Sequence, residues 1–87
     1  MTSEEIRNKL AQIIAEKVNG RISPEQVAWN TRLRDDLGID SLAVAELMYE
    51  IEETFGTALE ETDPRTLVTI RHAVDAIAHE LQVKLAS

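Results

Sequence analysis

The sequence predicts an all-α fold, a four-helix bundle of three long helices and one short helix with a long first loop. Three stretches carry apolar residues at helical spacing. The apolar residues are mostly Leu, Ile, Val and Ala, and Trp29, Tyr49 and Phe55 are the only aromatic residues among the 87, a composition that suits packed helices better than a β-sandwich. This length predicts one domain over residues 1–87, with one core that buries about 60 to 65% of the unfolded chain's surface.

The first helix is predicted over about residues 3 to 18. Thr2 and Glu5 have the spacing of a capping box, and Gly20 is a natural stop. The apolar residues fall on one helical face: Ile6, Leu10, Ile13, Ile14 and Val18. The remaining polar side chains are interpreted as a solvated surface: Glu4, Arg7, Lys9, Gln12, Glu16 and Lys17.

Residues 19 to 40 are predicted to form a long loop that is pinned to the core. Ser23-Pro24 starts a turn or a short helix, and Gly38 interrupts the chain further on. The apolar residues between them are spaced too irregularly for one continuous helix: Val27, Trp29, Leu33 and Leu37. Trp29 is interpreted as a core anchor rather than a ligand-stacking residue.

The second helix is predicted from Asp40 or Ser41 to about Phe55, with Asp40 as the N-cap and Gly56 as the stop. At 100° per residue, one set of side chains lies on the buried face: Val44, Leu47, Met48, Ile51 and Phe55. A second set lies on the opposite, exposed face: Leu42, Ala45, Glu46, Tyr49 and Glu53. The exposed face therefore mixes apolar and acidic groups.

The last third of the chain predicts a short helix and a long one. Residues 57 to 62 form a loop, and Asp63-Pro64 starts one or two turns through about Leu67. Thr69 then caps the final helix, which Leu85 extends near its end. The apolar stripe of this helix comprises Ile70, Ala73, Val74, Ile77, Ala78 and Leu81.

Composition excludes several classes of function. The chain has no cysteine, so it forms no disulfide and has no cysteine nucleophile. Its net charge is −7, and ten acids without any Lys or Arg fall between Asp35 and Asp63, which argues against nucleic-acid or membrane binding. With no signal-peptide pattern and no apolar run of membrane-spanning length, we expect a cytoplasmic monomer.

The titratable residues do not predict a catalytic or metal site. His72 and His79 are seven residues apart on the last helix, without an evident third ligand. No carboxylate pairs with a His or Lys in a catalytic pattern, and Asp35, Asp36 and Asp40 do not fit a calcium loop.

Ser41 is the residue that the sequence singles out. It follows Gly38-Ile39-Asp40, where a glycine-containing loop becomes a helix, so its hydroxyl is expected at an exposed corner. The helix start offers partial positive charge that tolerates an anion there. No His is placed to activate the hydroxyl, so the favoured hypothesis is that another enzyme modifies Ser41. The preference of serine for the start of a helix also explains a serine at this position.

The run from Leu33 to Leu42, LRDDLGIDSL, followed by Glu46-Leu47 and by Ile51-Glu52-Glu53-Thr54-Phe55-Gly56, resembles the acyl carrier protein signature. In that family the serine of D-S-L receives 4′-phosphopantetheine from coenzyme A through a phosphopantetheinyl transferase. The resemblance extends more weakly to both ends of the chain. It implies a free-standing carrier, not an enzyme, with Ser41 as the attachment residue between Asp40 and Leu42.

The resemblance also implies partner enzymes and a pocket for the acyl chain. The second helix would contact acyltransferases, ketosynthases or acyl-loading enzymes. The residues for this contact are Leu42, Ala45, Glu46, Tyr49, Glu50 and Glu53. An acyl pocket would be lined by Val44, Met48, Ile51, Ile70 and Val74, which serve equally well as a filled core.

Departures from the family pattern bear on the pathway. Ala43, Ala45 and Tyr49 replace an acid, Val and Met that many fatty-acid carriers have, which favours polyketide or other secondary-metabolite synthesis over fatty-acid synthesis. The alternatives are an aminoacyl or peptidyl carrier of nonribosomal synthesis, against which Ile39 argues, and an unmodified acidic interaction module.

Overall fold

The computed structural model describes residues 2–59 and 62–86. Three α-helices occupy this part of the chain: α1 (Ser3–Lys17), α2 (Ser41–Phe55) and α3 (Ile70–Ala86). Two 3₁₀ turns lie in the connections, at Pro24–Gln26 and Pro64–Thr66. The all-helical fold is confirmed, whereas the predicted fourth, short helix is a single 3₁₀ turn.

Helix α1 begins and ends as its sequence predicts. The Thr2 hydroxyl accepts a hydrogen bond from the Glu5 amide, and the Glu5 carboxylate accepts one from the Thr2 amide, which completes the capping box. After Lys17 the chain turns through left-handed backbone at Asn19 and Gly20, with φ of 56° and 74°. Asparagine and glycine tolerate this conformation better than other residues, so the helix stops here.

Two polar residues of α1 are not simply solvated, which corrects the interpretation of its outer surface. Arg7 is half-buried and donates to the Val27 carbonyl oxygen at 3.0 Å. The side chain of Lys17 is only 15% exposed because it reaches across to α2. Both residues tie α1 to later parts of the chain, which helical periodicity alone does not reveal.

Helix α2 has the two faces predicted for it. Its five buried residues are those expected: Val44, Leu47, Met48, Ile51 and Phe55. The Asp40 carboxylate accepts from the Ala43 amide at 2.8 Å, and Gly56 ends the helix in left-handed backbone with φ of 64°.

The long first loop is pinned to the segment before α3. The Leu33 amide donates to the Val68 carbonyl and the Ile70 amide to the Thr31 carbonyl, both at 3.0 Å, around a lone antiparallel bridge between Arg32 and Thr69. Trp29 is half-buried, with the guanidinium groups of Arg7 and Arg71 at 5.5 Å and 4.9 Å from its ring centroid. Trp29 also packs against the core, which supports its interpretation as a core anchor.

The core joins all three helices and both connections. Besides the predicted apolar faces it takes in Ile39, Leu59 and Leu67, which periodicity does not assign to the core. Thr69 caps α3 as predicted, since its hydroxyl accepts from the His72 amide at 3.3 Å. Leu85 lies in the last turn of α3, but its side chain is outside the described part of the structure.

Candidate functional site

Ser41 is the first residue of α2, and its side chain is exposed. The preceding residue, Asp40, is in extended backbone and caps the helix, so the chain changes direction immediately before the serine. The hydroxyl therefore lies at the corner between loop and helix, as the sequence predicts.

A hydrogen-bonded turn holds this corner in place. The Leu37 amide donates to the Arg32 carbonyl, and the Ile39 amide donates to the Leu33 carbonyl at 2.9 Å. Gly38 has φ of +69°, a left-handed conformation that costs other residues about 1 kcal/mol. Ile39 is 2% exposed and anchors the turn in the core, so the next two residues, Asp40 and Ser41, point outward.

Arg34 contacts Ser41 directly. One guanidinium N–H of Arg34 donates a hydrogen bond to the Ser41 Oγ. Both side chains are exposed, and within residues 2–59 and 62–86 Arg34 forms no ion pair with a carboxylate. A permanently protonated guanidinium offers only donors, so it orients the hydroxyl but cannot remove its proton.

A groove of about 240 Å³ opens beside Ser41 between the first loop and the segment before α3. Its walls combine four apolar residues with three arginines and one acid: Leu33, Val44, Leu67, Val68, Arg32, Arg34, Arg65 and Asp35. The arginines come from the two ends of the acidic stretch, which the fold brings together. No pattern in the sequence indicates this cluster, because positions 34 and 65 are far apart along the chain.

Two of these three arginines have carboxylate partners. Arg32 lies 3.3 Å from Asp35, and Arg65 lies 2.8 Å from Asp63. Hydrogen bonds from Arg65 lower the pKa of Asp63 below its ordinary value of 3.8, with the side-chain bond having the larger effect and the backbone bond the smaller. Arg34 alone of the three directs its guanidinium at the serine without a carboxylate in the described structure.

The exposed face of α2 combines large apolar and acidic side chains, as predicted. Leu42 is 71% exposed and Tyr49 is 63% exposed, and Ala45, Glu46, Glu50 and Glu53 are exposed with them. A hydrogen bond to Glu53 and the charge of that carboxylate raise the pKa of Tyr49. Val68, 47% exposed, lines the groove that opens beside the N-terminus of this helix.

Lys17 partly neutralises this acidic face. Its Nζ lies 2.8 Å from a Glu46 oxygen and 3.9 Å from a Glu50 oxygen. The hydrogen bond to Glu46 raises the pKa of Lys17, with the charges of both glutamates adding to the effect. The sequence shows a lysine in the last turn of α1, but it does not show which helix this lysine contacts, because that depends on packing.

The predicted lining residues divide into two groups. Val44 lines the groove beside Ser41. Met48, Ile51, Ile70 and Val74 are at most 8% exposed in the core and do not line this groove. An acyl pocket among them therefore stays a prediction.

The described residues hold no group of three His, Cys, Asp or Glu side chains that could bind a metal ion. His72 has a capping role, because its Nδ1 accepts a hydrogen bond from the Thr69 amide at 3.2 Å. Over the same part of the chain, no helix is both long and apolar enough to cross a membrane.

Comparisons with known proteins agree with this geometry. The family model described as the phosphopantetheine attachment site matches residues 8–77. An acyl carrier protein of Chlorobium luteolum is 35% identical over 77 residues, covering 88% of this chain and 96% of its own length. One from Cyanidium caldarium is 36% identical over 84 residues, covering 97% and 95%, and one from Desulforapulum autotrophicum is 38% identical over 72 residues, covering 83% and 92%.

The matched segment contains both the corner at Ser41 and the whole of α2. The identities exceed 30% over nearly the full length of each relative. The family's cofactor is phosphopantetheine, and its members are carriers rather than enzymes. The chain belongs to the acyl carrier protein family, whose defining domain is the phosphopantetheine attachment site.

Proposed function

We propose that Ser41 is the residue that receives 4′-phosphopantetheine and that the chain carries acyl groups to partner enzymes. The observation that carries the proposal is the exposed Ser41 hydroxyl at the start of α2, inside the matched domain. The residues around it fit a phosphodiester, because the hydroxyl is accessible, a guanidinium touches its oxygen and the helix begins there. When bound, the arm supplies the thiol for thioester chemistry, which a cysteine-free chain does not itself hold.

Ser41 is proposed as a nucleophile that another protein activates. The side-chain hydrogen bond in which Ser41 takes part comes from Arg34, which cannot act as a base. In the transfer the serine oxygen bonds to the phosphorus that bears pantetheine, and the bond from that phosphorus to adenosine 3′,5′-bisphosphate breaks. The serine proton then goes to a base of the phosphopantetheinyl transferase.

The exposed face of α2 is proposed as the surface that partners meet. Its acids attract basic partner surfaces over distances near the Debye length, about 8 Å at physiological ionic strength, which speeds encounter without requiring tight binding. Leu42, Ala45 and Tyr49 add a small apolar contact beside the proposed attachment residue.

The pathway is proposed from departures within this same helix, two of them on its exposed face. Ala43, Ala45 and Tyr49 differ from the residues common in fatty-acid carriers, which favours acyltransferases and ketosynthases of polyketide or other secondary-metabolite synthesis. Loading with acyl donors against aminoacyl donors separates this proposal from a peptidyl carrier. Preferential aminoacyl loading would refute it.

Mass spectrometry of the intact protein tests the attachment. The wild type and Ser41→Ala are incubated with coenzyme A, Mg²⁺ and a broad-specificity transferase. The proposal expects a mass gain of one phosphopantetheine group in the wild type and none in Ser41→Ala, whose fold is checked by circular dichroism. A folded wild type without any gain would overturn the proposed attachment and favour an unmodified interaction module.

A further inference from the structure

The groove beside Ser41 places a cation where the proposed modification adds negative charge. Asp40 is adjacent in sequence, and Asp35 lines the same groove. A phosphodiester on the serine oxygen adds another negative charge to this corner. In a chain of net charge −7, a nearby cation offsets part of the repulsion that this addition causes.

We propose that Arg34 binds the phosphodiester of the arm and holds its first segment against the groove. This inference rests on the proposed attachment at Ser41. The Arg34 guanidinium already donates to the oxygen that would become a phosphodiester oxygen. Because its donors form a planar fork, a guanidinium can bind two oxygens of one phosphate at once.

The neighbouring arginines are less suited to this role. Arg32 and Arg65 are paired with Asp35 and Asp63, so binding a phosphate would require each to give up or share its carboxylate. Arg34 has no such ion pair within the described residues. Its contact with the phosphodiester would replace a hydrogen bond to a neutral hydroxyl by one to an oppositely charged acceptor.

The helix N-terminus supplies fewer donors than its position suggests. The Ala43 amide is occupied by the Asp40 carboxylate, and the Val44 amide by the Asp40 carbonyl. Part of the first turn is therefore already satisfied before any anion arrives. The side chain of Arg34 is the group that compensates the added charge.

The walls of the groove determine which way an arm held by Arg34 can run. Val44, Leu67 and Val68 form apolar walls next to the three arginines. An arm whose phosphate is held by Arg34 starts along these walls rather than away from the protein. Arg34 is thus a positioning residue that limits the directions available to the arm.

Phosphorus NMR of the loaded protein tests this role without any measurement of activity. Wild type, Arg34→Gln and Arg21→Gln are loaded to completion with coenzyme A and excess transferase, and loading is verified by mass. Arg21→Gln is the matched control, because it removes the same charge from an exposed arginine that does not line the groove. Urea-unfolded loaded wild type provides the reference for an uncontacted phosphodiester.

The wild type and Arg21→Gln are expected to share one ³¹P chemical shift, with Arg34→Gln moved toward the unfolded reference. The amide of Val68 should also shift on loading in the wild type and by less than half as much in Arg34→Gln. Coincident ³¹P shifts and equal Val68 changes in all three folded proteins would overturn the role of Arg34 while leaving attachment intact. A wild type that accepts no arm would overturn both proposals.

Discussion

Ser41 acquires its chemical setting from the residues on either side of the turn before it. Asp40 caps α2, so the helix begins at the serine. The side chain of Arg34, seven residues earlier in the chain, contacts the serine hydroxyl. The cap follows from the residue type and its position, so the sequence predicts it. The arginine contact depends on the turn around Gly38, and no periodicity in the sequence reports it.

Asp63 makes a testable pH-dependent contribution to stability. Its pKa is lowered below 3.8, first by the side-chain hydrogen bond from Arg65 and then by the backbone one. Because the folded-state pKa lies below the unfolded one, Asp63 stabilises the fold above the unfolded value, and this contribution is lost as pH falls through the folded-state pKa. An NMR titration should show the pKa of Asp63 rising toward 3.8 in Arg65→Gln.

The rise should be incomplete, because the amide of residue 65 still donates to the Asp63 carboxylate in that variant. Asp63→Asn keeps an oxygen for this bond but removes the charge. Its difference from the wild type in free energy of unfolding should therefore be larger near neutral pH than in acid. An unchanged pKa in Arg65→Gln would show that the ion pair does not form in solution.

At the scale of the element, α2 shows why periodicity predicts some features well. Its apolar residues recur at helical spacing, so the assignment of buried and exposed faces needs no knowledge of the partner helices. Its boundaries follow from Asp40 and Gly56 for the same local reason. The charges that contact α2 from another helix depend on packing, so the sequence does not predict the contact of Lys17 with Glu46 and Glu50.

Lys17 is expected to moderate the proposed recognition face. Lys17→Gln leaves Glu46 and Glu50 without their nearby cation, so the field that attracts basic partners becomes stronger. Transferase-catalysed modification should speed up about two- to threefold at low salt, the size of effect expected for one ion pair near the surface, and should fall more steeply as salt is added. Stopped-flow or mass-based rates over a salt series measure this.

Lys9→Gln is the matched control, because it removes the same charge from an exposed position on α1. The double charge reversal Glu46→Lys with Glu50→Lys should act in the opposite sense, slowing modification and flattening its salt dependence. Equal rates for Lys17→Gln and Lys9→Gln would mean that the ion pair of Lys17 has no effect beyond its contribution to net charge.

For the whole molecule, the sequence predicts the helices and the exposed position of Ser41 but not the contacts between the two long connections. The apolar residues along the first loop predicted that it would be pinned, yet they do not identify Val68 and Thr69 as what it is pinned to. Leu59 and Ile39 are buried without helical spacing to indicate it. Contacts between distant residues require the assembled fold, and the groove beside Ser41 is one such product.

Substitutions at two leucines near the site are expected to distinguish a role in stability from a role in recognition. Leu33 is 1% exposed, and its amide links the first loop to Val68, whereas Leu42 is 71% exposed on α2. Leu33→Ala should lower the free energy of unfolding by about 2 to 5 kcal/mol, because it leaves a cavity where the loop meets the core. Leu42→Ala should change it by less than about 0.5 kcal/mol.

Urea unfolding followed by far-UV circular dichroism and by the fluorescence of Trp29 measures both changes, since Trp29 lies in the same loop as Leu33. Leu33→Val, a smaller truncation, provides a measurable transition if Leu33→Ala does not fold. The same two positions should reverse their order in modification assays, where Leu42→Ala slows the transferase and folded Leu33→Val does not. A loss for Leu33→Ala as small as the one expected for Leu42→Ala would mean that the first loop is not held by the core as the structure indicates.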